Sequence, residues 1–243
     1  MPAIAKAVIA AVIAVPFVIT ACSSGVGSPL AAGSSSPAGA SASAEDTASA
    51  SPDAGMFTGT RLKAMLEPRS FFPKAFAPDP SGSVNTGDGY QPATAPGKLP
   101  CSRLGSTAWV DLSDIGSVSF AQSDFIDKPA IEEYAQEIDV YPGAAAQAVL
   151  RALRKLPARC SGYKDPQTGG TVTVTLGKGP AIGNASLSLL LSSPVWQGGT
   201  TLEAVRVGTA VVTVLYSADS GTGAKQASAL ARILARRVIS ATR

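Results

Sequence analysis

Histidine is absent from this 243-residue sequence, and charged residues make up only 15% of it. Without histidine the chain has no Ser-His-Asp triad, no Cys-His pair and no histidine ligand for a metal. Much of ordinary hydrolase and zinc chemistry is therefore excluded, and we expect neither a metal nor a cofactor. The formal net charge of +3 is too small to indicate a nucleic-acid partner.

Several familiar catalytic motifs are also missing. No Gly-x-Ser-x-Gly nucleophile elbow occurs. The segment Gly177-Lys178-Gly179 lacks both the earlier glycine and the following Ser or Thr of a phosphate-binding loop. Carboxylates such as Asp111 and Asp114 come in groups, but none has the spacing of a calcium-binding loop. We therefore do not expect an enzyme, and a histidine-free enzyme that uses two carboxylates is the alternative.

The first 21 residues have the organisation of a secretory signal peptide. Their apolar stretch, residues 7–19, is shorter than the ~20 residues needed to span a bilayer. It ends in Ile19-Thr20-Ala21-Cys22, which resembles the bacterial lipobox of an aliphatic residue, two small residues and a cysteine. The resemblance implies cleavage after Ala21 and attachment of a lipid, with acyl chains such as palmitate, to the Cys22 sulfur. A plain secretory peptide is the alternative.

A segment rich in Ser, Ala, Gly and Pro follows Cys22. Residues 23–55 contain only Val26 and Leu30 as larger apolar side chains, so they cannot bury a core. We therefore expect residues 22–55 to form a lipidated cysteine with a flexible tether, and residues 56–243 to form a single extracytoplasmic domain. The lipid would anchor the chain at the outer face of the cytoplasmic membrane.

The apolar periodicity of residues 56–243 predicts an α+β domain with one antiparallel sheet of about five to seven strands, covered by two main helices. The amphipathic segments 143–158 and 222–241 predict these helices, and a shorter one is expected over 60–67. Residues 68–100 are expected to be irregular. The predicted strands are 107–112, 116–121, 133–141, 171–176, 185–191, 200–207 and 210–217.

Cys101 and Cys160 are the cysteines that remain once Cys22 carries a lipid. In an exported protein such a pair predicts a disulfide. The bridge would stabilise the domain by a few kcal/mol. Two free buried thiols are the alternative.

Three aromatic residues are candidates for ligand contact, namely Trp196, Trp109 and Tyr141. Trp196 is the strongest, because it lies in a loop predicted between two strands, where functional residues concentrate. For each of the three, a place in the core is the alternative.

Cations are grouped on both predicted main helices. The groups are Arg151, Arg154, Lys155 and Arg159, and Arg232, Arg236, Arg237 and Arg243. We interpret both groups as solvated helix faces. Attraction to anionic lipid headgroups is the alternative.

Several segments of residues 56–243 resemble actinobacterial extracytoplasmic sensor-like domains. They are the Cys101 to Cys160 spacing, residues 137–142 (Glu-Ile-Asp-Val-Tyr-Pro) before an alanine-rich helix, residues 180–183 (Pro-Ala-Ile-Gly), and residues 205–208 (Val-Arg-Val-Gly) before a β-rich run. These features are similar to the extracellular domain of PknH-type receptor kinases and to lipoproteins that carry the same module. The resemblance implies a helix-backed antiparallel sheet with a cleft, although the second cysteine pair expected of the kinase-attached form is missing.

Together these patterns predict a membrane-anchored extracytoplasmic lipoprotein with a ligand-binding or sensor-like domain. The expected ligand is a small molecule, a glycan or an envelope lipid. The alternative from a different class is a structural or partner-docking envelope lipoprotein without a small-molecule ligand.

We predict that Cys22→Ala abolishes lipid attachment, because the cysteine sulfur is the atom that would be acylated. Cells that express either form are labelled with a fatty-acid analogue, and incorporation into the protein is measured. Ser24→Ala, two residues away, serves as the matched control and should leave incorporation unchanged. Equal labelling of Cys22→Ala and the unsubstituted chain would contradict the prediction.

Overall fold

The computed structural model describes residues 56–243, and the expected signal peptide, Cys22 and tether lie outside these residues. The strands are β1 (Ala77–Asp79), β2 (Ser119–Asp127), β3 (Glu132–Val140), β4 (Tyr163–Lys164), β5 (Thr171–Gly177), β6 (Ala185–Ser192), β7 (Thr200–Val207) and β8 (Ala210–Ser217). They form one sheet in the order β1-β2-β3-β8-β7-β6-β5-β4. Every neighbouring pair is antiparallel.

Four α-helices and four short 3₁₀ helices accompany the sheet. The α-helices are α1 (Gly59–Lys63), α2 (Ala145–Leu153), α3 (Leu156–Arg159) and α4 (Ala224–Ala241). The 3₁₀ helices are Arg69–Phe71, Pro80–Gly82, Cys101–Gly105 and Trp109–Ser113. Within residues 56–243, none of the helices is both long and apolar enough to cross a membrane.

One face of the sheet is covered by α4, which packs on β7 and β8. Its apolar residues recur at four-residue intervals, as a helix that buries one face requires. Leu230, Leu234 and Val238 are buried in the same cluster as Val212 and Val214 of β8. Burying each such side chain contributes about 2 kcal/mol, so this face forms the first of two cores.

The other face is covered by α2 and by the 3₁₀ helices between residues 101 and 113. Leu187 and Leu189 alternate along β6 and point to this face, and both are buried with Val149 and Leu153 of α2. Trp109 completes the second core with an exposure of 0%. The α+β architecture with helices on an antiparallel sheet is as expected from the sequence.

Most of the later predicted elements are confirmed. The strands predicted at 133–141, 171–176, 185–191, 200–207 and 210–217 correspond to β3, β5, β6, β7 and β8. The predicted helix at 222–241 corresponds to α4, and the predicted helix at 143–158 is divided into α2 and α3. Pro157 lies in the first turn of α3, where proline is tolerated because its missing N–H would have no helical partner.

The strand predicted over 107–112 is wrong, because Trp109–Ser113 is a 3₁₀ helix. A half-buried strand would expose every second side chain, but the consecutive residues Trp109 and Val110 are both fully buried. Asp114, with a φ of 59° in the left-handed region, follows this helix. The segment therefore lies on the sheet as part of a covering layer.

The sheet also has more strands than the five to seven expected. β1 was not predicted, because it contains Pro78 and proline is a poor strand former. Proline is tolerated here because β1 lies at the edge of the sheet and pairs only with β2. β4 has two residues, too few to show alternation. The strand predicted at 116–121 corresponds to β2, which begins at Ser119 and ends at Asp127. The polar residues Gln122 and Ser123 interrupt the apolar pattern, so the sequence did not indicate the later end of the strand.

The predicted disulfide is present between Cys101 and Cys160, with a Cα–Cα distance of 5.5 Å. It joins the 3₁₀ helix Cys101–Gly105 to the end of α3. The two cysteines are 59 residues apart in the chain, so the bridge restricts a long loop in the unfolded state. It fixes part of the covering layer over the second core.

We predict that the double variant Cys101→Ser/Cys160→Ser loses about 2–4 kcal/mol in the free energy of unfolding, because the unfolded chain regains the entropy of an open loop. Denaturant unfolding of the oxidised protein and of the double variant measures the difference. As control, the reduced unsubstituted protein should unfold at the same denaturant concentration as the double variant. Coincident transitions of the bridged and unbridged proteins would contradict this.

Candidate functional site

The three aromatic residues singled out from the sequence all pack in or against the second core. Trp109 and Tyr141 are 0% and 1% exposed, so in this structure they are core residues that line no open surface. Trp196 is partly buried, and its indole Nε1 donates a hydrogen bond to Asp165 at 3.2 Å. Ligand contact by these residues stays a prediction, and only Trp196 is placed where a ligand can reach it.

An open groove of about 520 Å³ lies on the other side of the sheet, beside α1. One wall is the turn that follows α1, which includes Ala64 and Glu67, and the facing wall is formed by residues 83–85 and β2. Residues 83–85 run along the outer edge of β2, where the Gln122 N–H donates to the Val84 carbonyl at 2.9 Å. The volume lies within the range of ~300–1,000 Å³ typical of small-molecule sites.

The turn after α1 is held against the sheet by the fully buried side chain of Gln136 in β3. Its amide oxygen accepts from the Glu67 N–H at 2.9 Å, and its Nε2 donates to the Glu67 carbonyl at 2.7 Å. The same Nε2 donates to the Ser123 hydroxyl at 3.0 Å. Since the amide is satisfied on both sides, it fixes the position of the groove wall.

Arg237 of α4 fixes the same wall from the opposite direction. Its Nη2 forms an ion pair with the Glu67 carboxylate at 2.6 Å. Its Nη1 donates to the carbonyls of Met65 and Leu66 at 3.0 and 2.9 Å. These carbonyls follow α1, so the guanidinium satisfies backbone acceptors at that helix end. Arg237 remains 38% exposed and contributes positive charge to the groove.

The base of the groove is aromatic. Phe125 of β2 lines it and stacks on Phe72 with ring centroids 4.0 Å apart. Phe72 also contacts Tyr134, which contacts Tyr216 at 4.1 Å. This row of rings holds the segment around the 3₁₀ helix Arg69–Phe71 against β2 and β3. An apolar base with a cationic wall suits a molecule that has both apolar and polar parts.

A second feature lies inside the molecule, beneath the 3₁₀ helix Trp109–Ser113. Glu137 and Asp139 of β3 are both 3% exposed and share a sheet face with Thr213, which pairs with Glu137 across β8. One carboxyl oxygen of each acid has no hydrogen-bond partner, and neither has the Thr213 hydroxyl or the Trp109 indole nitrogen. An unpaired buried charge is costly, so these acids favour their neutral forms.

Burial is the main cause of the raised pKa of both acids. It raises the pKa of Asp139 to about 8, with a further contribution from the negative charge of Asp111. It also raises the pKa of Glu137 well above the ordinary range, with a further contribution from the Asp139 charge. Nearby Asp124 accepts a hydrogen bond from Thr107, and burial still raises its pKa to about 6. At neutral pH Glu137 and Asp139 therefore favour their protonated forms, whereas Asp124 favours its ionised form.

These acids are not arranged as a metal centre. Among residues 56–243, no group of three or more Cys, Asp or Glu side chains could hold a metal ion. Substrate access is closed as well, since Glu137 and Asp139 are almost completely buried. We therefore expect the cluster to influence the pH dependence of stability, and the groove is the better candidate for binding.

Sequence reasoning missed the residues that build the groove. Gln136 occupies an inward position of β3 between Tyr134 and Ile138, where an apolar residue would be expected. Arg237 directly precedes Val238 of the buried stripe of α4. The available signal in the sequence was a polar residue within or beside an apolar pattern. It could not identify the groove, because Glu67, the partner of both Gln136 and Arg237, is far away in the chain.

Comparisons with known proteins support the fold. No protein-family model matches the chain, and no curated protein sequence matches it. Among solved structures, the chain is similar to the extracellular domain of PknH from Mycobacterium tuberculosis, with a TM-score of 0.54 and 15% sequence identity. The match covers 76% of this chain and 97% of that domain. The resemblance expected from the sequence is thus confirmed at the level of the fold.

We predict that the domain is more stable in mild acid than in mild base. The folded state keeps protons on Glu137 and Asp139 at pH values where the unfolded chain has released them. The free energy of unfolding therefore falls as the pH rises from about 4, the ordinary carboxyl range, towards the folded-state pKa of Asp139 of about 8.

Asp139→Asn removes one of these protons, so the fall should become shallower by up to about 1.4 kcal/mol per pH unit between about pH 5 and pH 7. Urea unfolding across a pH series measures the slope. Asp88→Asn is the matched control, because Asp88 is exposed, and it should keep the unsubstituted slope. A slope that Asp139→Asn leaves unchanged would show that this carboxyl is ionised in the folded protein.

Proposed function

We propose that residues 56–243 form a sensor-like binding domain of an extracytoplasmic protein, with the groove beside α1 as its ligand site. The observation that carries the proposal is the groove itself, an open site of about 520 Å³ whose wall is fixed by buried hydrogen bonds. The likeness to the extracellular domain of PknH supports the extracytoplasmic location. Lipid attachment at Cys22 is part of the proposal and would keep the domain near the membrane.

The lining of the groove indicates the class of ligand. Leu66, Val84 and Phe125 contribute apolar surface, and Lys63 and Arg237 contribute positive charge. Val84 is 46% exposed, so apolar surface is open to a ligand without rearrangement. The best match is a small amphiphile with an apolar body and a polar or anionic group, which includes envelope lipids among the candidates expected from the sequence.

The groove requires little ordering before it binds. The Glu67 backbone is held by Gln136, and the Glu67 carboxylate is held by Arg237. A site whose walls are already fixed loses less conformational entropy when a ligand enters. Free Arg237 donors are then available to a ligand without breaking the ion pair, because a guanidinium carries five N–H groups.

Docking of a partner protein is the second candidate. Phe71 is 43% exposed and contacts the edge of the Phe72 ring, which stacks on the groove base at Phe125. Exposed aromatic surface beside a groove is typical of protein interfaces as well as of ligand sites. The two candidates differ in whether a small amphiphile alone occupies the groove.

We predict that the amphiphilic dye anilinonaphthalene sulfonate binds the folded protein and that Ala64→Trp weakens the dye affinity at least about tenfold, a change of about 1.4 kcal/mol. Ala64 is exposed and lines the groove, so a bulky ring there fills the site without entering the core. Fluorescence titration measures the dissociation constant.

The matched control is Ala93→Trp, which adds the same ring at an exposed position that does not line the groove, and it should leave the affinity unchanged. Circular dichroism of both variants checks that they fold. If neither substitution alters the dye affinity, the dye binds another surface and the groove is not its site. A dye that fails to bind the folded protein at all would instead favour the docking candidate.

A further inference from the structure

A smaller pocket of about 290 Å³ lies on the face of the sheet opposite the groove. Its walls are the consecutive helices α2 and α3 on one side and the end of the 3₁₀ helix Trp109–Ser113 on the other. Ala148 and Ala152 form part of the lining. Because alanine side chains are small, they leave the space between the larger residues open.

Three cations surround this pocket, namely Arg151, Lys155 and Arg159. They are spaced four residues apart, which places them on one side of a helix. The helical turn continues between α2 and α3, since the Lys155 N–H donates to the Ala152 carbonyl at 3.0 Å and the Arg159 N–H donates to the Lys155 carbonyl at 3.1 Å. The pocket is therefore bordered by a row of positive charge along one helical surface.

Within residues 56–243, no carboxylate forms a salt bridge with this row. The chain contains no Asp or Glu between Tyr141 and Lys164. Within the part of the chain that the structure describes, the ion pair of Arg237 with Glu67 is the only salt bridge. Arg151 and Lys155 are exposed, and the negative end of the helix can offset only part of their charge.

Arg159 and Ser113 give the pocket hydrogen-bond donors that are held in place. Arg159 Nη1 donates to the Leu112 carbonyl at 3.0 Å, which holds the guanidinium at the pocket edge and leaves its other N–H groups free. Ser113 is 7% exposed and lines the pocket. Its hydroxyl oxygen accepts from the Ile115 N–H at 3.3 Å, so the hydroxyl proton remains available to donate.

We propose that this pocket binds a phosphate group, with Arg151, Lys155 and Arg159 as its counter-charges and Ser113 as a neutral donor. Guanidinium groups match the geometry of phosphate oxygens, and lysine supplies compact positive charge. The phosphate belongs either to a soluble phosphorylated molecule or to a lipid headgroup. The site is separate from the groove beside α1, so its test does not depend on the outcome for the proposed function.

The test uses the full chain and two phosphate probes. Isothermal titration calorimetry with inorganic pyrophosphate represents the soluble source. Co-sedimentation with vesicles of phosphatidylglycerol and phosphatidylcholine, compared with vesicles of phosphatidylcholine alone, represents the headgroup. We expect Arg151→Ala/Lys155→Ala to weaken binding of at least one probe by about tenfold or more, since two of the three counter-charges are removed.

The matched control is Arg236→Ala/Arg243→Ala, which removes two exposed cations from the last helix and the chain end and should change binding less than about twofold. Ser113→Ala should also weaken binding, because general attraction to positive charge does not depend on a neutral hydroxyl. Thermal unfolding of every variant checks that the fold is retained.

The outcomes are distinct. Selective loss with pyrophosphate assigns a soluble phosphate compound, and selective loss with anionic vesicles assigns a headgroup. Equal weakening by the two double variants would overturn the pocket in favour of general charge attraction. Absence of binding to both probes would overturn the proposal as well.

Discussion

The antiparallel pairing of β3 with β8 is the interaction on which the rest of the domain depends. It joins the strands β1 to β3 to the later strands of the sheet, because β3 is the only neighbour of β8 besides β7. Both cores contain residues from each part, such as Ile138 and Val212 in one and Ala135 and Leu215 in the other. Neither core could therefore form before these distant segments meet, so the pairing and the two cores are expected to form cooperatively.

A position at the centre of the sheet also explains why the polar residues of β3 matter so much. Gln136, Glu137 and Asp139 are all buried because β3 is covered on both faces. Gln136 finds donors and acceptors on the turn after α1, so its burial orders the groove wall. Glu137 and Asp139 each keep one carboxyl oxygen without a partner, and protonation reduces that cost. Side chains on one strand thus shape the groove on one face and account for the expected pH dependence on the other.

The sequence predicts those parts of the molecule whose pattern is local. The β7–β8 hairpin and α4 repeat apolar residues at the spacing of their own secondary structure, and Cys101 and Cys160 are the only cysteines besides Cys22. The start of β2 and the 3₁₀ helix Trp109–Ser113 were misjudged because tertiary packing decides them. The groove was beyond prediction for a related reason: Glu67 and Gln136 are 69 residues apart, and their contact exists only after the sheet has formed.

The two groups of cations noted in the sequence differ in their contacts in the structure. Arg237 is paired with Glu67 and caps backbone carbonyls, so its charge has a structural role besides the ligand contact proposed for it. Arg151 and Lys155 have no such role, and like charges at four-residue spacing destabilise a helix by ~0.2–0.5 kcal/mol per pair. The row continues to Arg159 around one pocket, so the repulsion is concentrated where a bound anion would relieve it. Folding does not require that arrangement, whereas binding of an anion does benefit from it.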